Sequence, residues 1–177
     1  LGNTDSVRNE GIISIASKLS KYKDKPMFDI EVLPSNIILN DSAWNIGQAR
    51  IAYSIAEKRM DITNFSLHTD YQSIIANGTA SELATDSIDV VLNNINLDYL
   101  LSYTEASKAI SIMGPVTGQA QVYSVFSAPM LEAQAQIRNG GLNGVYLGDV
   151  TAEARLDREN KTILIEGEAI DSTGHRV

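Results

Sequence analysis

Apolar residues fall on every second position through most of this chain. In Ser87–Leu92 they are Ile88, Val90 and Leu92, and just upstream Ile74, Ala76, Gly78 and Ala80 share one parity. A two-residue period is the mark of a strand with one buried face. Behind Asn96 the period changes. Leu97, Leu100 and Leu101 sit at i, i+3 and i+4, Asn96 suits an N-cap, and Asp98 puts an acid where the helix dipole favours one. The spacing predicts a meander of strands ending in one short helix near Leu97–Tyr103, with its leucines covering one end of the sheet.

The same alternation extends in both directions. Ile13, Ile15 and Leu19, then Phe28, Ile30 and Val32, read as the first two strands, with Tyr22–Pro26 between them. The basic cluster Lys18, Lys21, Lys23 and Lys25 reads as a solvated loop in preference to an anionic-headgroup site. Ile37 and Leu39 form a third strand before the turn signal Asn40-Asp41-Ser42. Met60 and Ile62 are even but Phe65 and Leu67 are odd, so the phase slips at Thr63-Asn64, and a β-bulge there would restore the facing. Beyond the helix, one parity holds Val116, Gly118, Ala120 and Val122, and another strand holds Leu131, Ala133, Ala135 and Ile137. Asn139-Gly140-Gly141 reads as a turn, followed by Val150, Ala152, Ala154 and Leu156 and then by Ile163, Ile165, Gly167 and Ala169. The pattern is antiparallel hairpins throughout.

Composition excludes several function classes. The 177 residues carry a net charge of −8, which argues against a nucleic-acid partner, since phosphate backbones are bound by clustered Lys and Arg. There is no cysteine, hence no disulfide and no thiolate metal site. No apolar run approaches the ~20 residues that span a bilayer. His68 and His175 lie far apart in predicted turns, and no nucleophile-elbow, P-loop, zinc-protease or EF-hand pattern is present. The expectation is a non-enzyme with neither cofactor nor metal. Because the chain begins with Leu1 rather than Met and ends behind a turn-like Asp171–Gly174, residues 1–177 are expected to form a single β-rich segment of a longer protein.

Some of these residues carry a resemblance. Leu33-Pro34-Ser35 through Asn40–Ile46, Ile62–Leu67, Gly78-Thr79-Ala80-Ser81 and Ile95–Leu100 resemble the TamB family of Gram-negative envelope proteins, in the AsmA-like superfamily. Gly114–Gly118, Ser127-Ala128-Pro129 and Leu147–Val150 are similar to it as well, so the likeness runs from about residue 26 to 174. None of these motifs is catalytic; their order and spacing carry the match. The resemblance implies a periplasmic segment of a long protein anchored in the inner membrane and reaching an Omp85-type outer-membrane partner. It further implies an elongated antiparallel sheet curled into an open, taco-like groove for phospholipid acyl chains. That partner would be met through parts outside this segment.

The residues by themselves allow two architectures. A one-faced sheet with so little helix can curl into a trough whose missing layer is lipid, or close on itself as a β-sandwich or partial barrel. For the trough, the candidate lining is the apolar parity of the regular strands: Ile74, Ala76, Ile88, Val90, Leu92, Val122, Leu131, Ala133, Ile137, Val150 and Ala152. Many positions of this parity are Ala or Gly, which leaves room. Two function classes follow: a lipid conduit or envelope-biogenesis segment that carries phospholipid or assists outer-membrane protein assembly, and a passive β-rich interaction or adhesin module of an extracellular protein.

Overall fold

A computed structural model describes residues 8–101, 111–157 and 162–170. The described residues form one antiparallel sheet of fourteen strands and one short helix, and the sheet is not closed into a barrel. The chain is therefore all-β, an open curled sheet. The first seven strands are β1 (Glu10–Gly11), β2 (Ile15–Tyr22), β3 (Lys25–Val32), β4 (Ser35–Leu39), β5 (Ser42–Ile46), β6 (Ala49–Ser54) and β7 (Arg59–His68). There follow β8 (Ser73–Ala80), β9 (Ser87–Asn96), the helix α1 (Leu97–Leu101), and then β10 (Ile112–Met113), β11 (Pro115–Tyr123), β12 (Met130–Leu142), β13 (Val145–Asp157) and β14 (Thr162–Ile170).

Ten of these strands lie side by side in the order β2-β3-β6-β7-β8-β9-β11-β12-β13-β14. A flap of three, β1-β4-β5, joins the far end of β7 through only Asn45↔His68 and Ile46↔Leu67. The flap exists because two long hairpin arms are broken at one level, at Leu33-Pro34 between β3 and β4 and at Gly47-Gln48 between β5 and β6. Proline has no N–H for a ladder, so a break there leaves no donor unpaired. The Leu33 N–H is taken by the Ser14 carbonyl and the Gly47 N–H by the Ser66 carbonyl, both at 2.9 Å. Behind the crease lies a buried apolar cluster: Val32, Ile46 and Ala49 pack against Ile37, Ile51, Phe65 and Leu67.

Three asparagines bend the sheet elsewhere. Asn64, Asn94 and Asn139 adopt left-handed backbone angles, φ 59°, 56° and 47°. Each sits at a register shift between adjacent strands. Asparagine tolerates this region better than most residues. The N–H that each bulge takes out of the ladder is met by a side chain of the neighbouring strand. Asn77 Oδ1 accepts from Asn64 at 2.6 Å, Thr117 Oγ1 from Asn94 at 3.0 Å and Asp149 Oδ1 from Asn139 at 2.9 Å. The bulge expected at Thr63-Asn64 is the first of these. The expected turn at Asn139-Gly140-Gly141 is not a turn: β12 runs through it to Leu142, and the chain reverses at Asn143-Gly144. A left-handed asparagine followed by glycine serves a bulge as well as a turn, and Asp149 across the ladder decides for the bulge. An Asn139→Val chain should lose about 1–2 kcal/mol of stability and Asn139→Gly almost none, checked by urea unfolding.

Two further expectations are corrected. The first strand is split, with Ile13 in the break between β1 and β2. Of the basic cluster, Lys18, Lys21 and Lys25 lie in strands and only Lys23 in the turn, because Lys23 and Asp24 alone, both at positive φ, close that hairpin. The helix begins as its cap predicts: Asn96 Oδ1 accepts the Tyr99 N–H at 3.4 Å. Asp98 then ties it to the returning chain, accepting from the Ile112 N–H at 2.6 Å and the Ser111 hydroxyl at 2.9 Å. Leu97 is half-buried; the side chains of Leu100 and Leu101, and residues 102 and 103, lie outside the described residues, as do His175 and the turn 158–161.

Candidate functional site

The register collects the apolar parity onto one face. Ala76, Val90, Ala120, Ala133, Ala154 and Ile165 form one row across six strands, from β8 to β14. Ile74, Leu92, Gly118, Ala135, Ala152 and Gly167 form the next. On one side of this pair Gly78, Ile88, Val122 and Leu131 align, and on the other Ile95, Val116, Ile137, Val150 and Ala169. From β11 to β13 the two middle rows are all Ala and Gly, whereas the outer rows carry Val, Ile and Leu. Small residues between large ones make a furrow that crosses the strands. Val122 and Val116 lie six residues apart on β11, so its rails stand ~20 Å apart at the backbone.

All eleven candidate lining residues, Ile74, Ala76, Ile88, Val90, Leu92, Val122, Leu131, Ala133, Ile137, Val150 and Ala152, lie on this face, and all are half-buried. Their neighbours of opposite parity, such as Asp89, Val91, Gln121, Glu132, Gln134 and Glu153, are exposed. No second layer accounts for that difference: among the described residues the substantial contacts between elements join sheet neighbours, with α1 against β10 the exception. Curvature accounts for it. A Cβ added at Gly118 would come within 2.8 Å of the Ala135 Cα, and one at Gly167 within 2.8 Å of the Thr151 carbonyl oxygen. A side chain on one face meets the backbone of the next strand when the sheet bends towards that face, so glycine is required at the bend.

Contacts reach across the sheet at both ends of the strands, on the two sides of the furrow. At one end Tyr53 of β6 meets Phe126 of the β11–β12 connection edge to face, ring centres 6.4 Å apart. The Phe126 N–H bonds the Ser81 carbonyl at 3.1 Å, and Ala80, Ser81 and Ser124 are buried beneath. At the other end the Tyr99 hydroxyl donates to Asn9 Oδ1 at 2.6 Å, beside β1. Along the sheet β1 stands five positions from β9, ~24 Å if flat, while the helix carrying Tyr99 is only about 7.5 Å long. The flap must curl round for that bond to form. Sequence reasoning missed both bridges, since nothing local pairs residues 53 with 126 or 9 with 99.

The opposite face is polar and holds two clefts. One of about 870 Å³ is lined by Lys18, Asp29, Glu31, Gln48 and Arg50 among others, and one of about 590 Å³ by Asp89, Gln121, Glu132 and Arg155 among others. Their charged groups are largely engaged with each other: Arg50 pairs with Asp29, Gln48 donates to Glu31 at 2.6 Å and Gln121 to Asp89 at 2.7 Å. A trough open along its whole length encloses no volume, so cleft size and apolar chemistry part company here. The chemistry decides for the apolar face, because a polar cleft offers acyl chains no burial. His68 is exposed, and among the described residues no group of His, Asp or Glu is placed to hold a metal.

The polar face also contributes to stability. Desolvation pushes the Asp61 carboxyl up, but a hydrogen bond from the Thr79 hydroxyl at 2.6 Å and others from Arg59 outweigh it and hold Asp61 below its ordinary range. For Asp29, desolvation is likewise outweighed by hydrogen bonds from Arg50 and Ser20. A carboxylate with a depressed folded pKa contributes stability that is complete above its unfolded pKa, about 3.9, and is lost as pH falls through the folded value. Stability should therefore decline below about pH 4, and an Asp29→Asn/Asp61→Asn chain should show a shallower acid slope in thermal melts. Comparison with family models, curated proteins and solved structures gives no match for this chain.

Proposed function

We propose that this chain is a lipid-conduit segment: its curled apolar face receives phospholipid acyl chains, which take the place of the missing second layer. The observation that carries the reading is the furrow of Ala and Gly between rails of Val, Ile and Leu, on the half-buried face of a sheet that nothing else among the described residues covers. Each methylene moved from water into such a furrow gains ~0.8 kcal/mol, so partial burial of a tail suffices for binding. Rows that cross the strands give the tail a path along the sheet rather than a closed pocket, which suits passage better than storage. Headgroups need no site of their own, since the trough is open to water along one side.

The resemblance to the TamB family supports the same reading and extends it. On that extension the segment belongs to a periplasmic protein anchored in the inner membrane, delivers phospholipid towards the outer membrane or assists assembly of proteins there, and meets an Omp85-type partner through other parts of the chain. It performs no covalent chemistry.

The test is binding of a fluorescent phospholipid by the purified chain. Ala133→Arg places a charge on the furrow floor and should weaken binding at least about tenfold, while its long stem can lead the charge out to water and spare the fold. Gln134→Arg, on the polar face, should leave binding unchanged. Equal loss in both variants, or none in either, would overturn the assignment.

A further inference from the structure

Each edge of the ten-strand run is free of a partner strand among the described residues: β2 on one side and β14 on the other. Unpaired edges present rows of ladder donors and acceptors and are usually blunted by short strands, prolines or bulges. These two are eight and nine residues long and pair regularly with β3 and β13, with neither proline nor bulge. Both carry large apolar side chains in the open. On β2, Ile15 is 61% and Leu19 65% exposed; on β14, Ile165 is 52% and Ile170 46% exposed.

We infer that the two edges fit each other, β14 of one molecule against β2 of a second copy, so that the sheet continues from molecule to molecule. The sense of the strands allows it. The run holds ten antiparallel strands with the edges included, so the first and tenth run in opposite directions, and a second copy laid beside β14 with its apolar face on the same side offers β2 antiparallel. Charge selects it. On the polar face β2 bears Lys18, within a hairpin that also carries Lys21, Lys23 and Lys25, whereas β14 bears Glu166 and Glu168. Lys18 stands beside Asp29, which Arg50 already holds, and among the described residues Glu166 makes an exposed contact to Arg155 at 3.4 Å. With Lys18 opposite Glu166, the antiparallel register sets Leu19 against Ile165 on the apolar face, which closes these two exposed residues into a cross-strand pair, and Ile15 against the buried Ala169.

Like edges are excluded by the same charges. A β2–β2 pairing sets lysine near lysine and a β14–β14 pairing glutamate near glutamate, so attraction falls on the head-to-tail arrangement alone. Such an interface is heterologous and extends rather than closes, and it would join the apolar troughs of successive copies into one. The inference is independent of what that face carries.

Sedimentation velocity of the purified chain should show mass rising with concentration and falling with added salt. Glu166→Lys/Glu168→Lys blocks one edge and Lys18→Glu the other; each variant alone should associate about tenfold more weakly than the parent. Mixed in equal amounts, the two should recover the parent's assembly, because the first variant's β2 meets the second's unchanged β14 and the two charge-reversed edges are again opposite in sign. A parent that stays monomeric at every concentration overturns the inference, as does a mixture that behaves like its separate components. Assembly of the parent with no response to either variant overturns the edge assignment as well.

Discussion

Val116→Asp is expected to unfold the chain or leave it marginal. Val116 is 1% exposed, the most deeply covered large side chain described, and sits between Ile95 and Ile137 in the row that forms one rail of the furrow. An aspartate there loses the apolar burial of valine and places a carboxylate where no described group pairs with it, so the loss should be about 4–5 kcal/mol. Comparison with Val91→Asp separates burial from position. Val91 lies on the polar face and is 45% exposed, and the same change there should cost less than about 1 kcal/mol. Chemical denaturation of both variants checks the contrast, and similar losses would mean that the two faces do not differ as described.

Gly78→Val should cost nearly as much, about 3–4 kcal/mol, by a different mechanism. Gly78 has φ 125°, a backbone conformation that L side chains rarely adopt, and a Cβ there would press into the Ser87 carbonyl oxygen. It stands opposite Ile62, beside the bulge at Asn64, so the extra residue on β7 and the glycine on β8 form one device. Asn77, its chain neighbour, supplies the oxygen that holds the Asn64 N–H. Gly78→Ala should already be strongly destabilising, because the fault is backbone angle and contact rather than bulk, while Asn64→Gly should be neutral within about 0.5 kcal/mol. Thermal melts of the three variants rank them.

The two-residue period was enough to read the strands, their antiparallel pairing and the face on which all eleven lining candidates lie, because each of these depends on residues next to one another in the chain. The bulge at Asn64 was legible for the same reason: the parity of Ile62 and Phe65 cannot otherwise be reconciled. What escaped depends on partners far away. Asn139-Gly140-Gly141 carries turn chemistry, and only Asp149, paired across a ladder whose register was unknown, shows it to be a bulge. The breaks at Pro34 and Gly47 look like ordinary strand ends until they fall at one level and create the flap. Periodicity left trough and sandwich open, since both need the same alternation. The glycines at 118 and 167, which the alternation marks only as room, also mark where the sheet bends.

The central claim is that acyl chains lie on one face of this sheet and not on the other. A photo-crosslinking residue placed at Val90 or Ala133, half-buried on the furrow side, should capture phospholipid from cells, whereas the same residue at Asp89 or Glu132, one position away and exposed on the polar side, should not. Capture from Val90 and Ala133 alone is the predicted result. Equal capture from both faces, or none from either, would contradict the account.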